Sequence, residues 1–158
     1  MKINVFRFVA AIAVCQLAGL LGSLFTAPNI PTWYASISKP AFTPPDWLFA
    51  PVWTVLFLLM GVALYFAWAR GLERKGVRTA LLVFGVQLIL NVLWSLLFFG
   101  LQSPLYALVE IIILWLAVLA TIVRFYGIER KAALLLVPYI CWVGFAALLN
   151  YYVWMLNA

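Results

Sequence analysis

Gln87, Asn91, Trp94 and Ser95 are spaced so that an α-helix carries them on one face. Trp142, Ala146 and Asn150 make a second such stripe, with Tyr139 three residues before Trp142. Amides interleaved with indole and phenol rings on two different helices point to an internal cavity that is both aromatic and hydrogen-bonding. Asn91 and Asn150 serve equally well as glue between helices, at about 0.6 kcal/mol per hydrogen bond. Other kinds of chemistry are absent from the chain. It has no His, so imidazole metal sites, Ser/His or Cys/His nucleophilic pairs and His-ligated haem are excluded. Cys15 and Cys141 each lie inside an apolar run, so neither a disulfide framework nor a thiolate zinc site is expected, and no metal site is predicted.

The elements that position these residues follow from composition. Of 158 residues, 68% are hydrophobic and 9% charged. A soluble domain carries about 25% charged residues, so this chain cannot cover a hydrated surface. Five segments have the roughly 20 apolar residues that a helix needs to cross a hydrocarbon core. They run over about residues 8–25, 47–69, 79–99, 104–123 and 132–156. None alternates apolar and polar residues as a barrel strand does. The expected fold is an all-α bundle of five transmembrane helices forming a single domain over residues 1–158, with no room for a soluble domain.

The formal charge of +6 reads as topology and not as a nucleic-acid surface. Lys2, Arg7, Arg70, Arg74, Lys75, Arg78, Arg124, Arg130 and Lys131 fall on one side of the five spans, and Lys39 alone on the other. The N-terminus is therefore expected in the cytoplasm and the C-terminus outside, with the first span retained as a helix. That span carries small residues every four positions, at Ala11, Cys15, Gly19 and Ser23. Such a stripe suits close packing within one chain or a dimer face.

Residues 27–46 hold Pro28, Pro31, Pro40, Pro44 and Pro45 among Trp33, Tyr34, Ile37 and Phe42. With so few backbone donors the segment is not expected to be a regular helix, yet it is too apolar for a solvated linker. It is expected to fold over the helix ends as an external lid; the alternative is an aromatic belt at headgroup level. Glu110, early in the fourth span, reads either as an acid that snorkels to the outer face or as a buried functional carboxylate.

The run Trp33-Tyr34, Lys39-Pro40, Phe42, Pro44-Pro45, Trp47, Phe49, Pro51 and Trp53-Thr54 resembles the signature of the TspO/MBR family, the tryptophan-rich sensory proteins also called translocator proteins or peripheral-type benzodiazepine receptors. The likeness continues through Asn91 and Trp94, then Pro138-Tyr139, Trp142, Phe145-Ala146 and Leu149-Asn150, and so covers essentially the whole chain. It implies a receptor or sensor in a bacterial inner membrane that binds porphyrins, chiefly protoporphyrin IX and haem, and hydrophobic drug-like molecules. The porphyrin or haem would be a ligand and not an obligatory cofactor. A homodimer is a further implied state. The resemblance also places Trp53 and Trp142 where the family's tryptophans are associated with light-dependent breakdown of bound protoporphyrin, so an enzyme of that kind is the alternative. A transporter of tetrapyrroles or of lipids such as cholesterol is a third reading. Tyr151-Tyr152 is followed by no basic residue, so the family's cholesterol pattern is incomplete here.

A cavity walled by Phe49, Trp53, Trp94 and Trp142 offers flat π surface and almost no charge, which suits a large planar apolar ligand. The residues expected to contact it are Trp33 and Pro44 from the loop, Phe49 and Trp53 from the second span, Asn91 and Trp94 from the third, and Tyr139, Trp142, Ala146 and Asn150 from the fifth. Trp53 and Trp142 are the candidates for any photochemical step.

Overall fold

A computed structural model describes residues 4–158; Lys2 lies outside the described residues. The chain forms α1 (Val5–Asn29), continued by a π-helical turn at Ile30–Tyr34, then α2 (Phe49–Trp68), which follows a 3-10 turn at Asp46–Leu48. Next come α3 (Val77–Ser95), continued by a second π-helical turn at Leu96–Gly100, α4 (Pro104–Tyr126), α5 (Arg130–Leu135) and α6 (Val137–Asn157). Among the described residues five helical stretches are long and apolar enough to cross a membrane, α5 and α6 together making the fifth. No strand occurs among them. The all-α, five-span fold is as expected.

Two boundaries differ from expectation. The first helix does not stop near residue 25: helical backbone runs on to residue 36, through Pro28 and Pro31, and the non-helical stretch is only residues 37–45. Proline removes an N–H and crowds the preceding turn, but in an apolar medium the freed carbonyls can be recovered by side chains and by π-type turns. Two side chains here bond main-chain oxygens next to those that Pro28 and Pro31 leave free: Asn29 Nδ2 donates to Phe25 O at 2.8 Å and Thr32 Oγ1 to Pro28 O at 2.9 Å. Further on, Ser36 Oγ donates to Trp33 O at 2.7 Å. The last span, in turn, is broken at Leu136, because Pro138 cannot continue a helix from the turn before it but is well placed in the first turn of α6.

Packing begins where α1 meets α2. Ala11, Cys15 and Ala18 are buried, and a Cβ added to Gly61 of α2 would lie 2.7 Å from Ile12 Cα, so the backbones nearly touch. Small residues permit this approach, and close van der Waals contact is what holds helices together in lipid. The lower part of the small-residue stripe thus packs inside the molecule. The outward faces are apolar, with Leu17, Leu21 and Leu24 on α1 and Ile112, Ile113 and Leu116 on α4 exposed, as bilayer contact requires.

The end of the bundle that carries the start of α1 holds the basic residues in specific contacts. Arg7 sits 5.4 Å from the Trp68 ring centroid, Arg130 sits 5.0 Å from that of Tyr126, and Arg70 forms an ion pair with Glu129 that joins the α2–α3 and α4–α5 connections. At the other end, Asn157 clamps residues 37–45: Ser38 N donates to its Oδ1 at 3.0 Å and its Nδ2 donates to Ser38 O at 2.8 Å. Phe42 in the same stretch packs edge-on against Tyr152, with centroids 5.4 Å apart.

Candidate functional site

A cavity of about 280 Å³ opens among α1, α2, α3 and α6 in the half of the bundle away from the N-terminus. Eight of its lining residues are aromatic. Phe49 and Trp53 come from α2 one turn apart, Trp94 from α3, Phe98 and Phe99 from the π turn that extends α3, and Trp142 from α6. The rings brace one another: Trp94 stacks on Phe98 with centroids 5.1 Å apart, Phe49 meets Trp142 at 6.2 Å, and Trp53 meets Phe57 at 5.7 Å. Each such pair contributes about 0.5–1.5 kcal/mol beyond its area burial and holds the wall rigid. Tyr34 caps the end, packing on Phe49 at 6.4 Å and on Phe99 at 5.6 Å.

The amides are used structurally. Trp94 Nε1 donates to Asn150 Oδ1 at 3.0 Å, and Asn150 Nδ2 donates to Pro104 O at 2.8 Å, tying α3, α6 and the start of α4 together. Asn91 Nδ2 donates to the Tyr139 hydroxyl at 2.9 Å, which donates to Gln87 Oε1 at 2.8 Å. Asn91 and Asn150 therefore act as interhelical glue and also line the cavity. One polar atom in the wall differs. Trp142 Nε1 is buried and has no hydrogen-bond partner, although an indole N–H removed from water ordinarily finds an acceptor.

Of the ten residues expected to touch a ligand, Phe49, Trp53, Asn91, Trp94, Trp142, Ala146 and Asn150 line this cavity. The other three do not. Tyr139 is wholly buried one layer behind, its ring edge-on to Trp53 at 6.4 Å. Trp33 faces a separate crevice with Gln102, Ser103 and Trp154, because the π turn rotates it away and packs it edge-on against Phe98 at 5.5 Å. Pro44 lies in the non-helical stretch and lines neither space. Missing from the expected set are Ser95, Phe98, Phe99, Leu149 and the α1 residues Gly19, Gly22, Ser23 and Thr26. The four-residue period of Gly19 and Ser23 and the amide-bearing face that includes Ser95 were the sequence signals for several of them.

Glu110 is 6% exposed, and neither of its carboxylate oxygens has a hydrogen-bond partner. It is a buried acid, not a snorkelling one, and it stands apart from the cavity wall. Among the described residues no three His, Cys, Asp or Glu side chains come together as a metal site would need.

The sequence model of the TspO/MBR family matches residues 11–155. A tryptophan-rich protein TspO from Archaeoglobus fulgidus is 50% identical over 155 residues, covering 98% of this chain and 99% of the relative. The translocator protein of Homo sapiens is 38% identical over 144 residues, covering 90% of this chain and 85% of its own length. A tryptophan-rich sensory protein from Cereibacter sphaeroides is 33% identical over 150 residues, covering 95% and 90%. With a full-length family match, five membrane-spanning helices and the aromatic cavity in place, this chain belongs to the TspO/MBR family.

Proposed function

We propose that this protein is a membrane receptor or sensor whose cavity binds a planar hydrophobic molecule, a porphyrin such as protoporphyrin IX or haem being the leading ligand. The observation that carries this reading is the braced wall of Phe49, Trp53, Trp94 and Trp142, in which the indole N–H of Trp142 is buried without an acceptor. Flat π surface supplies most of the affinity, and a carbonyl or carboxylate on the ligand's rim would satisfy the orphaned donor once the Trp142 ring turns its buried N–H towards the cavity. The names of the relatives, translocator and sensory protein, agree with a receptor in the bilayer. Loop residues 37–45, held by Asn157 and by Phe42 on Tyr152, would close the outer end as a lid. With the basic end facing the cytoplasm, that outer end faces the exterior.

The reading is tested by titrating the purified protein with protoporphyrin IX and following tryptophan fluorescence. Quenching that saturates, and that weakens when Trp53 and Trp142 are both replaced by Phe, supports it. Unchanged affinity and quenching in that double variant would put the site elsewhere.

A second reading is favoured by the presence of Trp53 and Trp142 in one wall: light-driven oxidation of the bound porphyrin with dioxygen as the electron acceptor. The excited porphyrin takes an electron from an indole and passes it to dioxygen, and the indole radical attacks the macrocycle with no general base needed. Illumination of the complex would then convert the porphyrin to a defined product. Equal bleaching by the double Phe variant would reduce the activity to bystander photochemistry.

A further inference from the structure

The cavity is roofed by rings over much of its aqueous end and open sideways. At the aqueous end, Tyr34 is 3% exposed and packs on Phe49 and Phe99, while Phe49 also meets Trp142, so a layer of rings stands between the cavity and the loop above. At the side the lining residues are exposed: Leu20, Ser23 and Ala27 on α1, Ala50 and Thr54 on α2, and, at the outer end of the same gap, Asp46 in the 3-10 turn. A residue that both lines an internal space and is exposed stands at its mouth. That mouth lies between two helices at a depth where their outward faces are apolar and meet lipid.

The sequence explains why the two helices part there. Towards the N-terminal end they touch through Gly61 and Ile12, and their separation is bridged at Gln16, whose Nε2 donates to Thr54 O at 3.2 Å. Beyond that bridge Ser23, Ala27 and Ala50 are too small to fill the space between the backbones. The volume points the same way. Drug-sized ligands occupy pockets of about 300–1,000 Å³, so a cavity of about 280 Å³ cannot enclose a tetrapyrrole, and one edge of such a ligand has to project through the gap.

We infer that the cavity is filled from the bilayer through a lateral gap between α1 and α2, and that its ligands are molecules dissolved in lipid. The inference rests on the reading of the cavity as a site for planar apolar molecules, and it adds the route and the phase from which they come.

Ser23→Phe and Ala50→Phe place a ring at the mouth from either side. Both positions are exposed, so the added volume displaces lipid and not core. In proteoliposomes each variant is expected to slow both association and dissociation of protoporphyrin IX by roughly tenfold, since a blocked route affects both directions. Wild-type rates in both variants, with unchanged melting temperature, would overturn the inference. A second measurement needs no porphyrin. In vesicles of phosphatidylcholine with brominated acyl chains, lipid entering the gap quenches Trp53, so Trp53→Phe removes part of the total quenching. That contribution is expected to vanish when Ser23→Phe is also present. A Trp53 contribution that is absent from the start, or that persists in the blocked protein, removes the lateral gap. If it behaves as expected while porphyrin fails to bind, the ligand assignment falls and the gap stands.

Discussion

Asn91 on α3 hands a hydrogen bond from its Nδ2 to the hydroxyl of Tyr139 on α6 at 2.9 Å, and by this contact the wall of the cavity is fixed to the layer behind it. Tyr139 passes its own hydrogen to Gln87 Oε1 at 2.8 Å, and Gln87 is completely buried. Asn91 thus stands between cavity and scaffold, and its orientation is set by the protein itself.

Tyr139→Phe is the direct test of that scaffold. The substitution strands the buried Gln87 Oε1 and the Nδ2 of Asn91, and leaving buried polar groups unpaired costs about 1–3 kcal/mol. The variant is expected to melt several degrees lower in detergent. An unchanged melting curve would mean that the trio contributes nothing to stability.

Two helix glycines, Gly61 at the contact of α1 with α2 and Gly85 in α3, are expected to respond to substitution with opposite signs. Gly61→Leu forces the helices apart, because even its Cβ would meet Ile12 Cα at 2.7 Å, and overpacking of this kind costs about 1–3 kcal/mol. Gly85, also in a helix interior, has nothing within 4 Å of an added Cβ, so Gly85→Ala is expected to stabilise by about 0.5–1 kcal/mol. Thermal melting of the two variants side by side checks both signs.

Trp142→Phe separates the ring of this residue from its N–H. Apo protein loses an unsatisfied buried donor and is expected to melt at or above the wild-type temperature. If the indole N–H serves the ligand, porphyrin affinity falls by the worth of one hydrogen bond, about 0.5–1.5 kcal/mol. Lower apo stability with unchanged affinity would make Trp142 a packing residue only.

Glu110→Leu removes a carboxyl group whose two oxygens are buried without partners. Burying such a group is expensive, so the variant is expected to be more stable than wild type in a melting experiment. Loss of ligand response in a stabilised variant would show that the acid is kept for function.

Much of this architecture was legible in the sequence because lipid leaves few choices. A run of about 20 apolar residues has to satisfy its own backbone, so the spans and their type could be read directly. The ends could not. Pro28 and Pro31 looked like a loop because proline breaks helices in water, whereas here Asn29, Thr32 and Ser36 return hydrogen bonds to main-chain oxygens and the helix continues. That continuation is what turns Trp33 away from the cavity. Seven of the ten residues expected at a ligand line the one cavity because Asn91 and Trp94 on α3, and Trp142, Ala146 and Asn150 on α6, keep their helical spacing.

The sequence by itself determined that the chain spans a membrane five times, that its basic residues gather at one end, and that amides and aromatic rings share helix faces. Only the tertiary structure decided which of those faces meet. In a soluble helix the apolar stripe marks the core, but in lipid the inner and outer faces are both apolar, so periodicity shows which residues lie together without showing what they face. For that reason Tyr139 turned out to lie behind the cavity wall, Glu110 to be buried, and the small residues of α1 to divide, Ala11 and Cys15 into packing and Gly19 and Ser23 into the cavity and its mouth.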